Sequence, residues 1–420
     1  MARDIVITGL GVVSPIGVGT EAFWSSLTAG RGGIQPLSSF DSRGMPVPFG
    51  AEVVGFDPKE YVKPRKSLKV MSRDIQFGVS AADMACTQAG VTPGAIDPDR
   101  FGVVFGADMI LCPLEDVEAA YRSCVVEGHF DFRRWGQHAM AQLYPLWMLK
   151  YLPNMPACHV AITYDARGPS NSLATAEVSS LLAVAEAARI IERGLADIMV
   201  AGGTSSRIHP TTYVRAILCD TAREAKDPAT ASRPFDAHRC GAVYGEGSGV
   251  LVLESRRHAE ARGARILGRV LGYSSGFEPH MNGSRLQGTA IKSSIENALR
   301  AAEVSPHDVG HVNAHGLSTI ENDRAEAQAI RQVLGDVPVT GLKSYFGNLG
   351  AGTGAVELAA SVLALERGQV PATLNYEHPD PECPVNVVQG TPLEGTAGIA
   401  LSLNQASTGQ AAAIVIAAEK

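Results

Sequence analysis

Short β-branched runs alternate with alanine-rich stretches along this chain, and this alternation constrains the fold more than any other feature. The runs predict buried strands at Asp4–Thr8, Gly102–Phe105, Asp197–Ala201, Gly249–Glu254, His311–Ala314, Val337–Gly341, Gly398–Leu403 and Ala413–Ala417. They lack regular polar alternation, as expected of strands covered on both faces. The intervening stretches predict helices at Asp74–Ala89, Glu177–Arg193, Ser293–Ala302 and Asp323–Leu334. Alternating strands and helices predict an α/β fold with a mainly parallel sheet.

Composition and charge exclude several classes of function. The 420 residues carry 36 Lys and Arg against 43 Asp and Glu, a net charge of −7, so there is no strong basic field for nucleic acid. No apolar run reaches the roughly 18 residues of a membrane helix. The seven cysteines show no CxxC spacing, which argues against a disulfide framework or a zinc site and favours a cytoplasmic location. We therefore expect no nucleic acid, membrane or metal ion as a partner.

A similarity between two segments of the chain bears on domain organisation. The segment Glu186–Gly194 is followed 174 residues later by the similar segment Ala360–Gly368. Both are nearly uncharged over most of their length, which predicts two buried helices. One interpretation is chance similarity between alanine-rich helices, and the other is duplication of an α/β unit. Under duplication the halves are residues 1–258 and 259–420, and they pack as one body because no linker-like tract separates them.

Three segments place polar residues beside predicted strand ends. His315 follows one such strand, where α/β proteins bind ligands and an imidazole could shuttle protons near neutral pH. Taken alone, a buried core histidine is the simpler interpretation. Glu177 begins a predicted helix, whose positive end favours a carboxylate without any catalytic role. Lys343 and Asn348 lie in a glycine-rich turn. The spacing of its glycines does not match a phosphate-binding loop. Close packing of a helix against the turn would explain these glycines without any binding role.

Together these segments resemble the elongating β-ketoacyl-acyl-carrier-protein synthases of the thiolase superfamily, over essentially the whole chain. The resemblance rests on Val6–Pro15, Ser232–Asp236, Val312–Gly316 and the turn at Lys343–Ser344, in that order. It implies a thiolase-like five-layered α-β-α-β-α fold built from two duplicated halves, and an obligate dimer. It also implies no bound cofactor, because phosphopantetheine arrives on the acyl carrier protein.

At the catalytic positions the sequence departs from the family pattern. Where the family has a nucleophilic cysteine in a Thr-Ala-Cys turn, this chain has Glu177. His315 matches the first family histidine, whereas Asn348 replaces the second. Lys343 and the supporting acid Glu326 are retained.

The segments expected to bind substrate also differ from the family. In the stretch that lines the pantetheine channel, Ser318 and Thr319 follow a leucine that replaces a hydroxyl residue. Near the C-terminus, residues 403–409 lack the family's gating phenylalanine, and Gln405 lies in that segment. The resemblance implies that Ser318, Thr319 and Gln405 contact the substrate arm.

These differences leave two hypotheses. Condensation needs a covalent acyl-enzyme, and an acylated glutamate would be an anhydride that water destroys. The chain therefore resembles a chain-length factor, a cysteine-less homologue that pairs with an intact ketosynthase in fatty-acid or type II polyketide biosynthesis. The alternative is a malonyl-carrier-protein decarboxylase or other thioester chemistry, in which His315 and Asn348 stabilise an enolate. The charge of Glu177 counts against the alternative unless burial keeps the carboxyl protonated.

A basic segment is expected to dock the acidic carrier protein. It contains Lys63, Arg65, Lys66 and Lys69 and is followed by Arg73. A solvated loop would explain the same charges. The sequence leaves open whether the dimer is a homodimer or a heterodimer with an intact ketosynthase.

Overall fold

One sheet of twelve strands runs through the molecule, for which we obtained a computed structural model. The structure describes residues 4–216, 218, 221–279, 286–395 and 398–419, so Cys219 lies outside the described residues. The strands are β1 Ile5–Ser14, β2 Gly17–Val18, β3 Ile34–Pro36, β4 Phe49–Ala51, β5 Phe101–Ala107, β6 Val125–Val126, β7 His129–Phe130, β8 Ser170–Leu173, β9 Ile198–Ser206, β10 Glu246–Ser255, β11 Gly268–Phe277, β12 His311–Asn313, β13 Pro338–Thr340, β14 Gln369–Val370, β15 Asn386–Val387, β16 Leu393–Glu394, β17 Ile399–Gln405 and β18 Gln410–Ala417.

The helices cover the faces of this sheet. They are α1 Thr20–Thr28, α2 Arg73–Gln88, α3 Leu114–Ser123, α4 Met155–Tyr164, α5 Ser179–Glu192, α6 Pro210–Ala216, α7 Arg256–Ala261, α8 Thr289–Ala302, α9 Ile320–Leu334, α10 Lys343–Phe346 and α11 Thr353–Arg367. Within the part of the chain that the structure describes, no helix is long and apolar enough to cross a membrane.

The strand directions correct one expectation. The sheet order is β15-β13-β12-β17-β18-β11-β1-β10-β9-β5-β8, with β2 beside β1. The central pairs are antiparallel, from β9–β10 through β1–β11 to β17–β18, and only the flanks around β5 and β12 are parallel. The prediction of a mainly parallel sheet is therefore wrong. An apolar run indicates that a strand is covered on both faces, but the chain connections set its direction.

The helices divide into three layers around the two parts of the sheet. Helix α2 packs on β1 and β10, and α8 packs on β11 and β18 at the far side. Helices α5 and α11 contact each other and lie between the two parts, which join edge to edge where Ile5–Ile7 pairs with Gly268–Val270. The five-layered α-β-α-β-α prediction is thereby confirmed.

The two similar segments found in the sequence lie at equivalent positions in this architecture. Glu186–Gly194 belongs to the end of α5 and Ala360–Gly368 to the end of α11, the two helices of the central layer. This placement favours duplication over chance similarity. The exact division at residues 258 and 259 stays a prediction.

Close contacts between helices and strands explain why some strands exceed their apolar runs. Strand β1 continues through Gly9 and Gly11 to Ser14. A Cβ at these glycines would lie 2.1 Å from the Ala85 carbonyl oxygen and 1.8 Å from that of Ala81, both on α2. The glycines therefore allow α2 to lie directly on the strand rather than ending it.

Candidate functional site

A cavity of about 350 Å³ opens at the carboxyl ends of two pairs of parallel strands. The pairs are β5 with β9 and β12 with β17. Strand ends of this kind are where α/β proteins bind ligands. Its polar lining includes Asp108, Glu177, Ser206, Arg207, His315, Thr319, Asn348 and Gln405. Among the described residues that line the cavity, none is a cysteine.

Glu177 lies in a tight turn at the cavity wall. The sequence predicts Glu177 as the first residue of a helix, but a 3-10 turn at Ala176–Val178 precedes α5. Ala176 has a φ of 52°, in the left-handed region, which turns the chain sharply before the helix. The Glu177 side chain is buried, and its Oε1 accepts hydrogen bonds from Arg207 Nη1 at 2.7 Å and Asn348 Nδ2 at 3.0 Å.

Arg207 is a site residue that sequence reasoning missed. It follows directly after β9, so its position beyond a buried strand was the available signal. Its guanidinium lies 3.1 Å from Asp108 Oδ2 as well as contacting Glu177, and it lies 5.4 Å from the centre of the Tyr244 ring. One partly buried cation thus joins two carboxylates, and Tyr244 packs against it.

Glu177 is ionised in this setting. Burial alone would raise the pKa of its carboxyl, but the Arg207 charge and the Asn348 hydrogen bond outweigh burial and hold the pKa at about 2. Its other oxygen, Oε2, is buried and makes no hydrogen bond to any residue in the described ranges. The sequence left the protonation state of Glu177 open, and the Arg207 and Asn348 contacts favour the ionised form.

The environment of His315 favours the neutral imidazole. Burial, and then the nearby Lys343 charge, lower the pKa of His315 well below its ordinary value. Asn404 Nδ2 donates to Glu357 Oε2 at 2.7 Å, so Asn404 Oδ1 faces His315 Nδ1 at 3.3 Å. An amide oxygen only accepts, which assigns the proton to Nδ1 and leaves Nε2 as an acceptor. The lowered pKa therefore leaves the imidazole neutral near neutral pH, and proton shuttling by His315 stays a prediction.

Lys343 and Glu326 support the site from behind. Lys343 is buried, lies 2.7 Å from Glu357 and also donates to the backbone carbonyl of His315. Glu326 accepts from the backbone N–H groups of His315 at 2.6 Å and Gly316 at 2.8 Å. Both residues orient the His315 segment, and Glu357, which the sequence analysis did not single out, completes this arrangement.

The Asn348 amide already has partners at both ends. Its Nδ2 donates to Glu177, and its Oδ1 accepts from Gly350 N at 3.0 Å and from Thr353 Oγ1 at 3.3 Å. One of the two Nδ2 hydrogens of Asn348 is therefore taken by Glu177, and an enolate oxygen in the cavity could receive only the other. The turn predicted from sequence is present, and its amide oxygen is held by protein groups.

The three residues expected to contact substrate separate into two groups. Thr319 and Gln405 line the cavity, and Gln405 Oε1 has no hydrogen-bond partner among the residues that the structure describes. Ser318 is buried outside the lining, and its hydroxyl accepts from Arg233 N at 2.9 Å. The structure thus gives Ser318 a different role from the expected one, because its hydroxyl fixes the adjoining backbone.

The basic segment forms a short 3-10 turn with exposed cations. Its exposed residues are Lys63, Arg65, Lys66 and Lys69. Arg73 differs from them because it pairs with the buried Glu246 at 2.6 Å, which limits its availability for docking. Glu246 also accepts from Ser206 Oγ at 2.7 Å, so this pair connects the basic segment to the cavity wall.

Two family models match the chain. They are beta-ketoacyl synthase, N-terminal domain, over residues 2–259, and beta-ketoacyl synthase, C-terminal domain, over residues 267–377. The chain is 39% identical to a putative polyketide beta-ketoacyl synthase 1 of Streptomyces cyaneus, covering 93% of this chain and 92% of that one.

Two solved structures are similar over their whole length. The ishigamide ketosynthase/chain length factor aligns with a TM-score of 0.87 and 28% identity, covering 100% of both chains. A type II polyketide synthase acyl-carrier protein in complex with its ketosynthase, bound to the hexaketide, aligns with a TM-score of 0.83 and 30% identity, again covering 100% of both. The thiolase-like fold prediction is confirmed by these neighbours.

Proposed function

Because this chain belongs to the β-ketoacyl synthase family, we propose that it is a chain-length-factor-like subunit that works beside an intact ketosynthase. The observation that carries the proposal is the ionised Glu177, buried in the cavity and held by Arg207 and Asn348. We place Glu177 at the family's nucleophile position. A carboxylate there cannot hold an acyl chain as a thioester, so the chain does not condense acyl units by itself.

The arrangement of donors argues against decarboxylation as the principal role. An enolate is stabilised by hydrogen-bond donors that are already oriented toward its oxygen. In this cavity His315 Nε2 is an acceptor, and the Asn348 amide donates to Glu177. The Glu177 charge would also repel a malonyl carboxylate placed beside it. Arg207 and Asn348 stabilise the protein's own carboxylate at Glu177 instead.

We further propose that the partners are an acyl carrier protein and an intact ketosynthase. One solved relative is a ketosynthase/chain length factor, and another is a type II polyketide synthase acyl-carrier protein in complex with its ketosynthase. The exposed cations at Lys63, Arg65, Lys66 and Lys69 suit an acidic carrier protein. The carrier protein's phosphopantetheine would then carry the substrate into the cavity past Thr319 and Gln405.

Co-expression with a cysteine-containing ketosynthase tests this function. We expect a 1:1 heterodimer by native mass spectrometry, and a product length that changes when this chain is replaced by another chain-length factor. The Glu177→Gln variant is the matched control and should still support synthesis, because the proposal assigns no covalent role to Glu177. A chain that forms only homodimers and leaves product length unchanged would contradict the proposal.

A further inference from the structure

A cluster of metal-ligating side chains lies outside the cavity. Asp236, His238 and His378 each offer one ligand atom, and these atoms all lie within 4.8 Å of one another. The two imidazole rings are 4.3 Å apart between centres, and His378 Nδ1 lies 3.9 Å from Asp236 Oδ2. Asp236 is buried, whereas both histidines are exposed.

The backbone holds these residues together. Ala237 N donates to the His378 carbonyl at 2.8 Å, and Asp236 forms an isolated antiparallel bridge with Pro379. The Asp236 carboxylate accepts from the backbone N–H groups of His238 at 2.8 Å and His378 at 2.7 Å. The segments that carry the two histidines are therefore fixed against each other before any ion binds.

The imidazole nitrogens are available for coordination. Neither histidine ring makes a hydrogen bond to any residue that the structure describes, and their only ring contact is with each other. Two imidazoles and a carboxylate, with a fourth position open to water, form a ligand set that Zn²⁺ accepts. Zinc–ligand bonds of about 2 Å place ligand atoms roughly 3.3 Å apart, and rotation of exposed imidazoles can close the remaining gap.

We propose that Asp236, His238 and His378 bind a divalent transition-metal ion, with Zn²⁺ as the best fit. The histidines are the principal ligands, because Asp236 already accepts several backbone hydrogen bonds and lies 3.5 Å from the Arg233 guanidinium. His238 and His378 belong to segments 140 positions apart, so the ion joins the early and late parts of the chain. The expectation of no metal rested on cysteine spacing, which does not reveal a site that folding assembles from distant histidines.

Calorimetric titration of the purified full chain with ZnCl₂ tests the site. We expect saturable binding of one ion, weakened by at least about tenfold in either His238→Ala or His378→Ala. The matched control is His307→Ala, which removes an exposed histidine on a distant turn and should leave the affinity unchanged.

A second measurement separates binding from a folding defect. Zinc should raise the unfolding temperature of the wild-type chain and of His307→Ala, and EDTA should reverse the rise, because an ion that binds only the folded state stabilises it. The double variant His238→Ala/His378→Ala should keep its unfolding temperature in EDTA but show no rise with zinc. No zinc binding by the wild-type chain, or equal binding by the double variant, would overturn the proposal.

Discussion

The Glu177 carboxylate determines the electrostatics of the cavity. It is buried, and the guanidinium of Arg207 also contacts Asp108, so two acidic side chains share one partly buried cation. His315 adds no positive charge because its environment favours the neutral imidazole. The cavity is therefore suited to holding its own carboxylate in place, and this has measurable consequences for stability.

The Glu177→Gln variant should lose stability in a pH-dependent way. The folded-state pKa of about 2 is below the ordinary value of 4.5, so the stabilisation is complete above pH 4.5 and is lost as pH falls toward 2. The shift corresponds to about 3 kcal/mol in unfolding free energy near neutral pH. In urea denaturation, we expect the difference between wild type and variant to fall to less than half by about pH 3.

The control for this measurement is Glu296→Gln, which changes an exposed glutamate on α8. Its unfolding free energy should follow the wild-type value at each pH. A Glu177→Gln difference that stays constant from neutral to acidic pH would contradict the ionised, paired carboxylate.

Replacing Arg207 should be more damaging than replacing Glu177. The Arg207→Met variant leaves Glu177 and Asp108 as neighbouring carboxylates without their shared cation, at a cost of about 3–5 kcal/mol. Adding Glu177→Gln to Arg207→Met should recover part of this loss, because one unpaired charge is removed. A double-mutant cycle measures the coupling, and additive effects would show that the two side chains act independently.

At the scale of elements, the sequence patterns predicted which strands exist, but not the direction in which a strand runs or where it ends. All eight predicted strands are present because their apolar runs are buried on both faces. The antiparallel centre of the sheet was missed because burial does not encode strand direction. The predicted strand ended at Thr8 with its apolar run, whereas β1 extends to Ser14 through Gly9 and Gly11, which are contact points for α2.

Helix–strand contact at glycine gives a prediction for the central layer. A Cβ on Gly249 in β10 would lie 2.4 Å from Val356 N, within the backbone of α11. Gly249→Ala must therefore move the helix and should cost about 1–3 kcal/mol in unfolding free energy. At the control position Gly398, a Cβ would meet only the Ala418 Cβ at 3.7 Å, so Gly398→Ala should be nearly neutral. Equal unfolding midpoints for the two variants in urea would contradict this packing.

The basic 3-10 turn gives a prediction about carrier-protein binding. Lys66→Glu/Lys69→Glu should weaken carrier-protein binding strongly at low salt and little at high salt, because exposed charges are screened over about 10 Å at 0.1 M. The control, Arg300→Glu/Arg331→Glu, makes the same change in net charge on α8 and α9. Calorimetry should show nearly wild-type affinity for the control. Equal weakening in both double variants would place the docking site elsewhere.

At the scale of the whole molecule, the sequence predicted which site residues meet but not how they are connected. Glu177, His315 and Asn348 come together at one cavity because each lies near a strand end. Arg207 and Asn404 were missed because their roles depend on contacts 30 and 89 positions away along the chain. The hydrogen bond that His315 Nδ1 donates to Asn404 Oδ1 fixes the tautomer of His315, and no sequence motif records that geometry.

Turnover of malonyl-carrier protein by the purified chain alone tests the central claim most directly. With no partner ketosynthase present, we predict no release of CO₂ above the uncatalysed background, because His315 Nε2 is an acceptor and the ionised Glu177 would repel a malonyl carboxylate. In a working enolate site, removing one oriented hydrogen-bond donor typically lowers the rate by about 10²–10³-fold. If the chain were a decarboxylase, His315→Ala and Asn348→Ala would therefore release CO₂ far more slowly than the wild-type chain. We expect both variants to match the wild-type background. Release of CO₂ by the wild-type chain that either variant abolishes would contradict the account and establish the chain as a decarboxylase.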